Sequence, residues 1–195
     1  MGIDAAADAF WAWFASAGDG FPREMDARVA GLGELAWEVG ADAGGRWLAI
    51  SPGGNPDLLP LTRAVVARAP RMPGWTFHPA KPPRDWDRTF SLGGGVRIDA
   101  NAWRYLLQRF PDGTLDVEIA APDLMRYEEP LRVHAARIAL DGELGEERRL
   151  ACVQEIYVFY GFEAADAEAA RPFEDLKGDL APQDGGSASS ASQRA

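Results

Sequence analysis

The sequence is poor in the residues that build disulfides, thiolate clusters and histidine centres. Among 195 residues there is one cysteine, Cys152, and there are two histidines, His78 and His134. A lone cysteine cannot pair within the chain, and two distant histidines without partners at helical spacing do not make a zinc site. We therefore expect no disulfide, no metal and no cofactor, and a reducing, cytoplasmic location.

The sequence also lacks an apolar run long enough to cross a bilayer, and it has no basic region at its N-terminus. Neither a membrane span nor a secretory signal is expected. The length suits one domain, and seven tryptophans provide much apolar area for one core. We predict a single domain over residues 1–177 and a disordered Gly/Ser/Ala-rich tail over residues 178–195, with no internal repeat.

Basic residues are scarce overall, and they are unevenly distributed. The net charge is −10, which disfavours nucleic acid as a partner. Residues 63–109 nevertheless hold nine Lys or Arg against three acids, between acidic flanks. This middle region either neutralises the flanks in scattered surface pairs or forms a basic concavity for an anionic ligand.

The spacing of apolar residues predicts four helices. The first begins at Ile3 and carries Phe10, Trp11 and Phe14 in or beside its apolar stripe. Asp57 is the expected N-cap of the third helix, which must stop before Pro70. The predicted helices cover residues 3 to about 18, 23–31, 57–69 and 131–141.

Alternating and continuous apolar runs predict up to seven strands, at residues 35–39, 47–50, 74–78, 96–98, 103–110, 115–119 and 152–160. Residues 103–110 could also be a helix capped by Asp99, but the Asp112-Gly113 turn that follows favours a hairpin. Residues 152–160 are apolar on both faces, which is typical of a central strand. The expected class is α+β, with a mixed, mostly antiparallel sheet of about five to seven strands packed by three to four helices.

Five stretches together resemble an uncharacterised family of bacterial cytoplasmic proteins. They are Phe10-Trp11-Ala12-Trp13-Phe14, Leu35-Ala36-Trp37-Glu38-Val39-Gly40, Leu48-Ala49-Ile50-Ser51 with the loop and helix after it, Ala69-Pro70 to Pro73-Gly74-Trp75-Thr76-Phe77, and Leu140-Asp141-Gly142-Glu143-Leu144-Gly145-Glu146. That family has no settled activity, so the resemblance implies no catalytic residue. Gly142 replaces the small or apolar side chain expected in the last helix, which leaves the end of that helix open.

Two hypotheses concern the loop after the second strand. Ser51 lies where a hydrolase places its nucleophile, but Pro52 lacks the N–H that the oxyanion would need. Residues 52–56 could instead cradle a phosphate ahead of a helix. The loop prolines remove donors and Asp57 would repel the ligand, so a structural turn is favoured.

Several charged side chains have plain structural explanations. The adjacent carboxylates of Asp85 and Asp87, Glu128-Glu129 and Glu146-Glu147 are predicted to be solvated surface. His134, Arg137 and Asp141 share one helical face, where side chains three or four residues apart pair with one another.

The strongest candidate site is the basic segment, residues 75–104, where arginines alternate with aromatic rings. Such a pattern suits the grip of an anionic group, and equally a charged strand edge. The candidate ligand-binding residues are His78, Lys81, Arg84, Trp86, Arg88 and Arg104.

The leading functional hypothesis is a non-catalytic binding or interaction module, with a protein or a small anionic ligand as partner and no nucleic acid or membrane. The alternative is an enzyme acting on a small anionic substrate, with His78 as the acid or base, which requires His78 and at least two of the arginines in one pocket. A homodimer through the aromatic first helix is a third hypothesis.

Overall fold

Residues 2–180, which a computed structural model describes, contain seven α-helices and nine strands. The helices are α1 (Ile3–Ala17), α2 (Met25–Ala30), α3 (Leu59–Val66), α4 (Glu129–Leu144), α5 (Glu146–Cys152), α6 (Ala164–Ala169) and α7 (Leu176–Asp179). The strands are β1 (Ala36–Asp42), β2 (Gly45–Ser51), β3 (Trp75–His78), β4 (Thr89–Ser91), β5 (Arg97–Asp99), β6 (Arg104–Arg109), β7 (Leu115–Ala120), β8 (Val153–Phe159) and β9 (Arg171–Pro172).

These strands form three small sheets, with the orders β1-β2-β3, β4-β5 and β8-β7-β6-β9. The α+β class is confirmed, but the prediction of one sheet with five to seven strands is wrong. The physical reason lies in residues 79–88, which contain Pro79, Pro82 and Pro83 and no strand. Proline cannot donate to a ladder, so residues 79–88 neither extend β3 nor add a strand to its sheet, and the strands that follow pair elsewhere.

The two larger sheets are built by the same chain path. In each, two strands form an antiparallel hairpin, a helical crossover follows, and a third strand pairs in parallel with the second strand of the hairpin. A parallel pair requires such a crossover. The first unit comprises β1, β2, α3 and β3, and the second comprises β6, β7, α4 with α5, and β8. The chain therefore contains two ββαβ units, although no repeat is visible in the sequence.

Apolar side chains form two clusters, one for each unit, and not the single core expected from the chain length. The first contains Phe10, Trp11 and Phe14 of α1, packed against β2 and α3. The indole of Trp11 donates to the carbonyl of Val65, 2.7 Å away. The second cluster lies between α4 and the sheet of β6, β7 and β8. No helix within residues 2–180 is both long and apolar enough to cross a membrane.

Two helix termini differ from the sequence prediction. Asn55, and not Asp57, caps the third helical segment: its side chain accepts the N–H of Asp57, and a 3-10 turn (Pro56–Leu58) precedes α3. At the other site, α4 continues through Gly142 to Leu144. The helix needs glycine there because a Cβ on Gly142 would lie 2.3 Å from an atom of the Trp86 indole.

Strand β8 is at the edge of its sheet, so the prediction of a central strand is wrong. It pairs only with β7 among the described strands. Ile156 and Val158 pack against the second cluster, whereas Tyr157 and Phe159 face outward. The predicted hairpin around Asp112-Gly113 is confirmed by the pairing of β6 with β7.

The folded region extends past the predicted boundary at residue 177. Residues 178–179 belong to α7, and Leu180 is buried in the second cluster. The hydroxyl of Tyr105 hydrogen-bonds to Asp179. The remainder of the predicted tail, residues 181–195, lies outside the described residues.

Replacing Gly142 by alanine tests the contact between Trp86 and α4. The added Cβ would displace the indole, so we expect a loss of about 1–3 kcal/mol in unfolding free energy, as for other overpacked sites. Chemical denaturation measures it. Gly178→Ala in α7 is the matched control, since a Cβ there meets nothing within 4 Å and alanine is the better helix former. A Gly142→Ala protein as stable as the Gly178→Ala protein would contradict the packing.

Candidate functional site

The two ββαβ units are joined by residues 79–88, here called the connector. It runs past the end of α4 and the start of α5. The N–H of Arg84 donates to the carbonyl of Gly142 at 2.7 Å, and the N–H of Glu146 donates to the carbonyl of Lys81 at 2.9 Å. The Trp86 indole lies on Gly142 and donates to Glu143 at 3.2 Å. The connector is thus held against the second unit by backbone and side chain together.

The arginines of the basic segment have separate partners. Arg84 forms an ion pair with Glu38 of β1, and its guanidinium lies over the Trp86 ring. The Nε of Arg88 lies 2.9 Å from a carboxylate oxygen of Glu143, close enough for an ion pair but without hydrogen-bond alignment. Arg104 donates to the carbonyl of Ala170, beside β9.

The six predicted ligand residues do not share one groove. His78 and Lys81 line one groove of about 440 Å³, together with Arg148. Arg84 and Trp86 line a second groove of about 440 Å³, which borders β1. Arg88 and Arg104 line neither of these grooves. Neither groove therefore combines His78 with two of the predicted arginines, which the enzyme hypothesis requires.

His78 is half-buried, at the end of β3. Its ring meets the Trp47 ring edge to face, with 6.3 Å between centroids. Burial lowers the pKa of His78, and the carboxylate of Asp42 opposes this in part. Cys152 is also half-buried, and burial raises the pKa of its thiol in spite of nearby arginines. A thiol with a raised pKa is a poor nucleophile.

The most heavily bonded polar group between the units is the carboxylate of Glu146, which is fully buried. Its oxygens accept the Ser51 hydroxyl at 2.7 and 2.9 Å, the N–H of Gly54 at 2.9 Å and the N–H of Lys81 at 3.1 Å. These donors come from the end of β2, the loop after it and the connector. A buried carboxylate with this many donors is stabilised, whereas the loss of a donor would leave charge uncompensated.

This arrangement decides both hypotheses for the loop after β2. The Ser51 hydroxyl donates to Glu146 and accepts the N–H of Gly53 at 3.0 Å, so its bonds are structural. The loop does hold an anion, but the anion is the carboxylate of Glu146. The N–H of Gly54 is therefore already occupied, which supports the structural turn over a phosphate cradle made of the loop's own N–H groups.

The acidic side chains at residues 141–146 were missed by sequence reasoning. Asp141, Glu143 and Glu146 are all buried, although Glu146 was predicted to be solvated surface. Gly145 explains the difference: its positive φ turns the chain between α4 and α5 and directs Glu146 inward. Glu147 remains at the surface, paired with Arg63. A glycine just before two glutamates, after a mostly apolar helix, is the signal that could have revealed this.

Contrary to the sequence prediction, Asp141 does not pair with a side chain of α4. It bonds to Arg149 of α5, with 2.5 Å between the carboxylate and Nε, and not to Arg137. Burial raises the pKa of Asp141, and Arg149 opposes that shift. Within residues 2–180 there is no group of three His, Cys, Asp or Glu side chains that could hold a metal ion.

An apolar surface lies along β8. Tyr157, Phe159 and Tyr160 are 44%, 42% and 74% exposed, respectively. The rings of Tyr157 and Phe159 are stacked with centroids 6.4 Å apart, and Phe162 lies 6.4 Å from Phe159. From residue 150 to residue 170 there is no basic residue, and there are four acids, Glu155, Glu163, Asp166 and Glu168. We call Tyr157, Phe159, Tyr160 and Phe162 with the free edge of β8 the aromatic edge.

Comparison with protein-family models, curated proteins and solved structures finds no match to this chain. The resemblance to a bacterial cytoplasmic family therefore stays a prediction. Two of the five stretches that carry this resemblance are in contact. The hydroxyl of Ser51 in one of them donates to the carboxylate of Glu146 in another.

Replacing Glu146 by glutamine tests the buried carboxylate. The amide nitrogen would face N–H donors that need an acceptor, and we expect a loss of about 1.5–3 kcal/mol in unfolding free energy, the usual range for hydrogen bonds to a charged group. Chemical denaturation of the Glu146→Gln protein gives the value. Glu147→Gln is the matched control, because its exposed ion pair is worth at most about 1 kcal/mol. Equal effects of the two substitutions would show that Glu146 has no special role.

Proposed function

We propose that this chain is a non-catalytic interaction module that binds an extended protein segment along the aromatic edge. The observation that carries the proposal is the position of β8. A strand that is apolar on both faces has its second face and one backbone edge uncovered within residues 2–180. Such edges are templates for the addition of another strand.

The edge of β8 lacks the usual protection against pairing. Proteins normally block free edges with lysine, proline, bulges or short strands. Within β8 there is no lysine, arginine or proline. A bulge disturbs the register with β7 only before Ile156, and from Ile156 to Phe159 the pairing is regular. A regular, unprotected aromatic edge is consistent with a binding surface.

The charge around the aromatic edge favours a basic partner. Glu155 of β8, and Glu163, Asp166 and Glu168 after it in the chain, are exposed, and there is no basic residue between residues 150 and 170. A second copy of this chain would bring the same four acids against them, so like-charge repulsion disfavours pairing between copies. An extended segment with alternating apolar and Lys or Arg residues fits both the rings and the charge.

The other hypotheses from the sequence have less support. The aromatic residues of α1 that were expected to form a dimer surface, Phe10, Trp11 and Phe14, are buried in the first cluster. The enzyme alternative has less support, because neither of the two grooves combines His78 with two of the predicted arginines. The interaction module is the hypothesis that the uncovered surface of the molecule favours.

Selection from a library of random linear peptides tests this function. We expect the chain to enrich peptides in which Lys or Arg alternates with apolar residues. The double substitution Tyr157→Lys and Phe159→Lys should weaken their binding about tenfold or more, since the loss of an aromatic anchor costs above about 1.4 kcal/mol. Calorimetric titration with a selected peptide measures the change.

The matched control is Val39→Lys, which places a lysine at an exposed position of the edge strand β1. It should leave peptide binding unchanged. Selected peptides that bind the double variant as well as the original chain would refute the proposal, and so would a selection that enriches acidic peptides or none.

A further inference from the structure

Two arginine side chains meet at Gly54. A Cβ built on Gly54 would lie 3.6 Å from Nη1 of Arg137 and 3.7 Å from Nη2 of Arg149. Arg137 comes from the middle of α4 and Arg149 from α5, so three separate parts of the chain converge at this point. We call the space beside Gly54 the two-arginine site.

Neither guanidinium nitrogen has a partner here. Nη2 of Arg149 is buried and makes no hydrogen bond, although the Nε of the same side chain bonds to Asp141. The Arg149 side chain is only 6% exposed. Arg137 is half-buried and has no hydrogen bond or ion pair within residues 2–180. A buried guanidinium nitrogen without a partner is costly, and a group that accepts from it would remove that cost.

Two like charges at one point also repel each other, and the nearby carboxylates make their hydrogen bonds to other atoms. Asp141 is bonded to the Nε of Arg149, beside its free nitrogen, and leaves that nitrogen without a hydrogen bond. Glu146 is occupied by Ser51, Gly54 and Lys81. These two carboxylates weaken the attraction for an added anion, so we expect a weak site. Guanidinium groups are nevertheless the preferred protein partners of oxyanions, since their N–H donors match two oxygens at once.

Gly54 contributes no side chain to the two-arginine site. Its φ of +87° belongs to the region that favours glycine, and any side chain there would extend toward both guanidinium groups. Gly54 is half-exposed, so the space is connected to solvent. From these contacts we propose that Arg137 and Arg149 bind a small oxyanion of the phosphate type beside Gly54. This inference does not rest on the proposed interaction at β8, which lies on different residues.

Thermal unfolding in the presence of inorganic phosphate tests the site. Phosphate, at an ionic strength matched with sodium chloride, should raise the Tm of the chain in a saturable way, because a ligand that binds only the folded state stabilises it. Arg137→Gln should abolish most of that rise. Arg71→Gln is the control, because it removes an equal charge from an exposed position of the loop before β3 and should leave the rise intact.

Titration of the amide of Gly54 by NMR provides a readout that does not depend on stability. We expect its resonance to shift saturably with phosphate in the original chain and not in the Arg137→Gln protein. If acetate also shifts the Gly54 resonance saturably, and does so only when Arg137 is present, the result would support an oxyanion site and identify carboxylates as its ligands. No rise in Tm beyond that in sodium chloride, or an equal rise in the Arg137→Gln protein, would overturn the proposal.

Discussion

The carboxylate of Glu146 is the contact on which the arrangement of the two units depends. It is fully buried, and its hydrogen-bond donors come from Ser51 and Gly54 of the first unit and from Lys81 of the connector. A charge in this position must keep all its donors, because removing one leaves charge that water cannot reach. The first unit, the connector and α5 are therefore held in one relative position, and each of the two apolar clusters is completed on its own side.

The Glu146 contact also limits which polar groups of the chain remain available to a ligand. With the loop after β2 bonded to Glu146 and the arginines Arg84 and Arg88 paired with acids, most polar groups of the basic segment are satisfied within the chain. Among the groups that have no partner within residues 2–180 are the free edge of β8 and the nitrogens of Arg137 and Arg149 beside Gly54. The proposals for peptide binding and for oxyanion binding each follow from one of these features.

Local patterns in the sequence predict α1 to α4 and seven of the nine strands, but not α5, α6, α7, β4 and β9. They predict poorly what depends on distant contacts. The hairpin at Asp112-Gly113 follows from turn chemistry within a few residues, and it is confirmed. The partners of Glu146 could not be inferred, because Ser51 and Lys81 lie 95 and 65 residues away. The position of β8 has the same cause: an apolar strand can be central or at an edge, and only the sheet order decides. The candidate residues His78 to Arg104 are close in sequence, but they do not share one groove, and the three arginines among them have different partners.

Amide hydrogen exchange of Gly54 and Lys81 tests the central claim most directly. Both N–H groups lie in loops and donate to Glu146, so we predict that they exchange as slowly as the amides of β2 and β7 and at rates similar to each other, since both would open only with global unfolding. Fast exchange of either amide, at the rate of the exposed turn at Gly113, would contradict the role of Glu146 as the contact that holds the two units together.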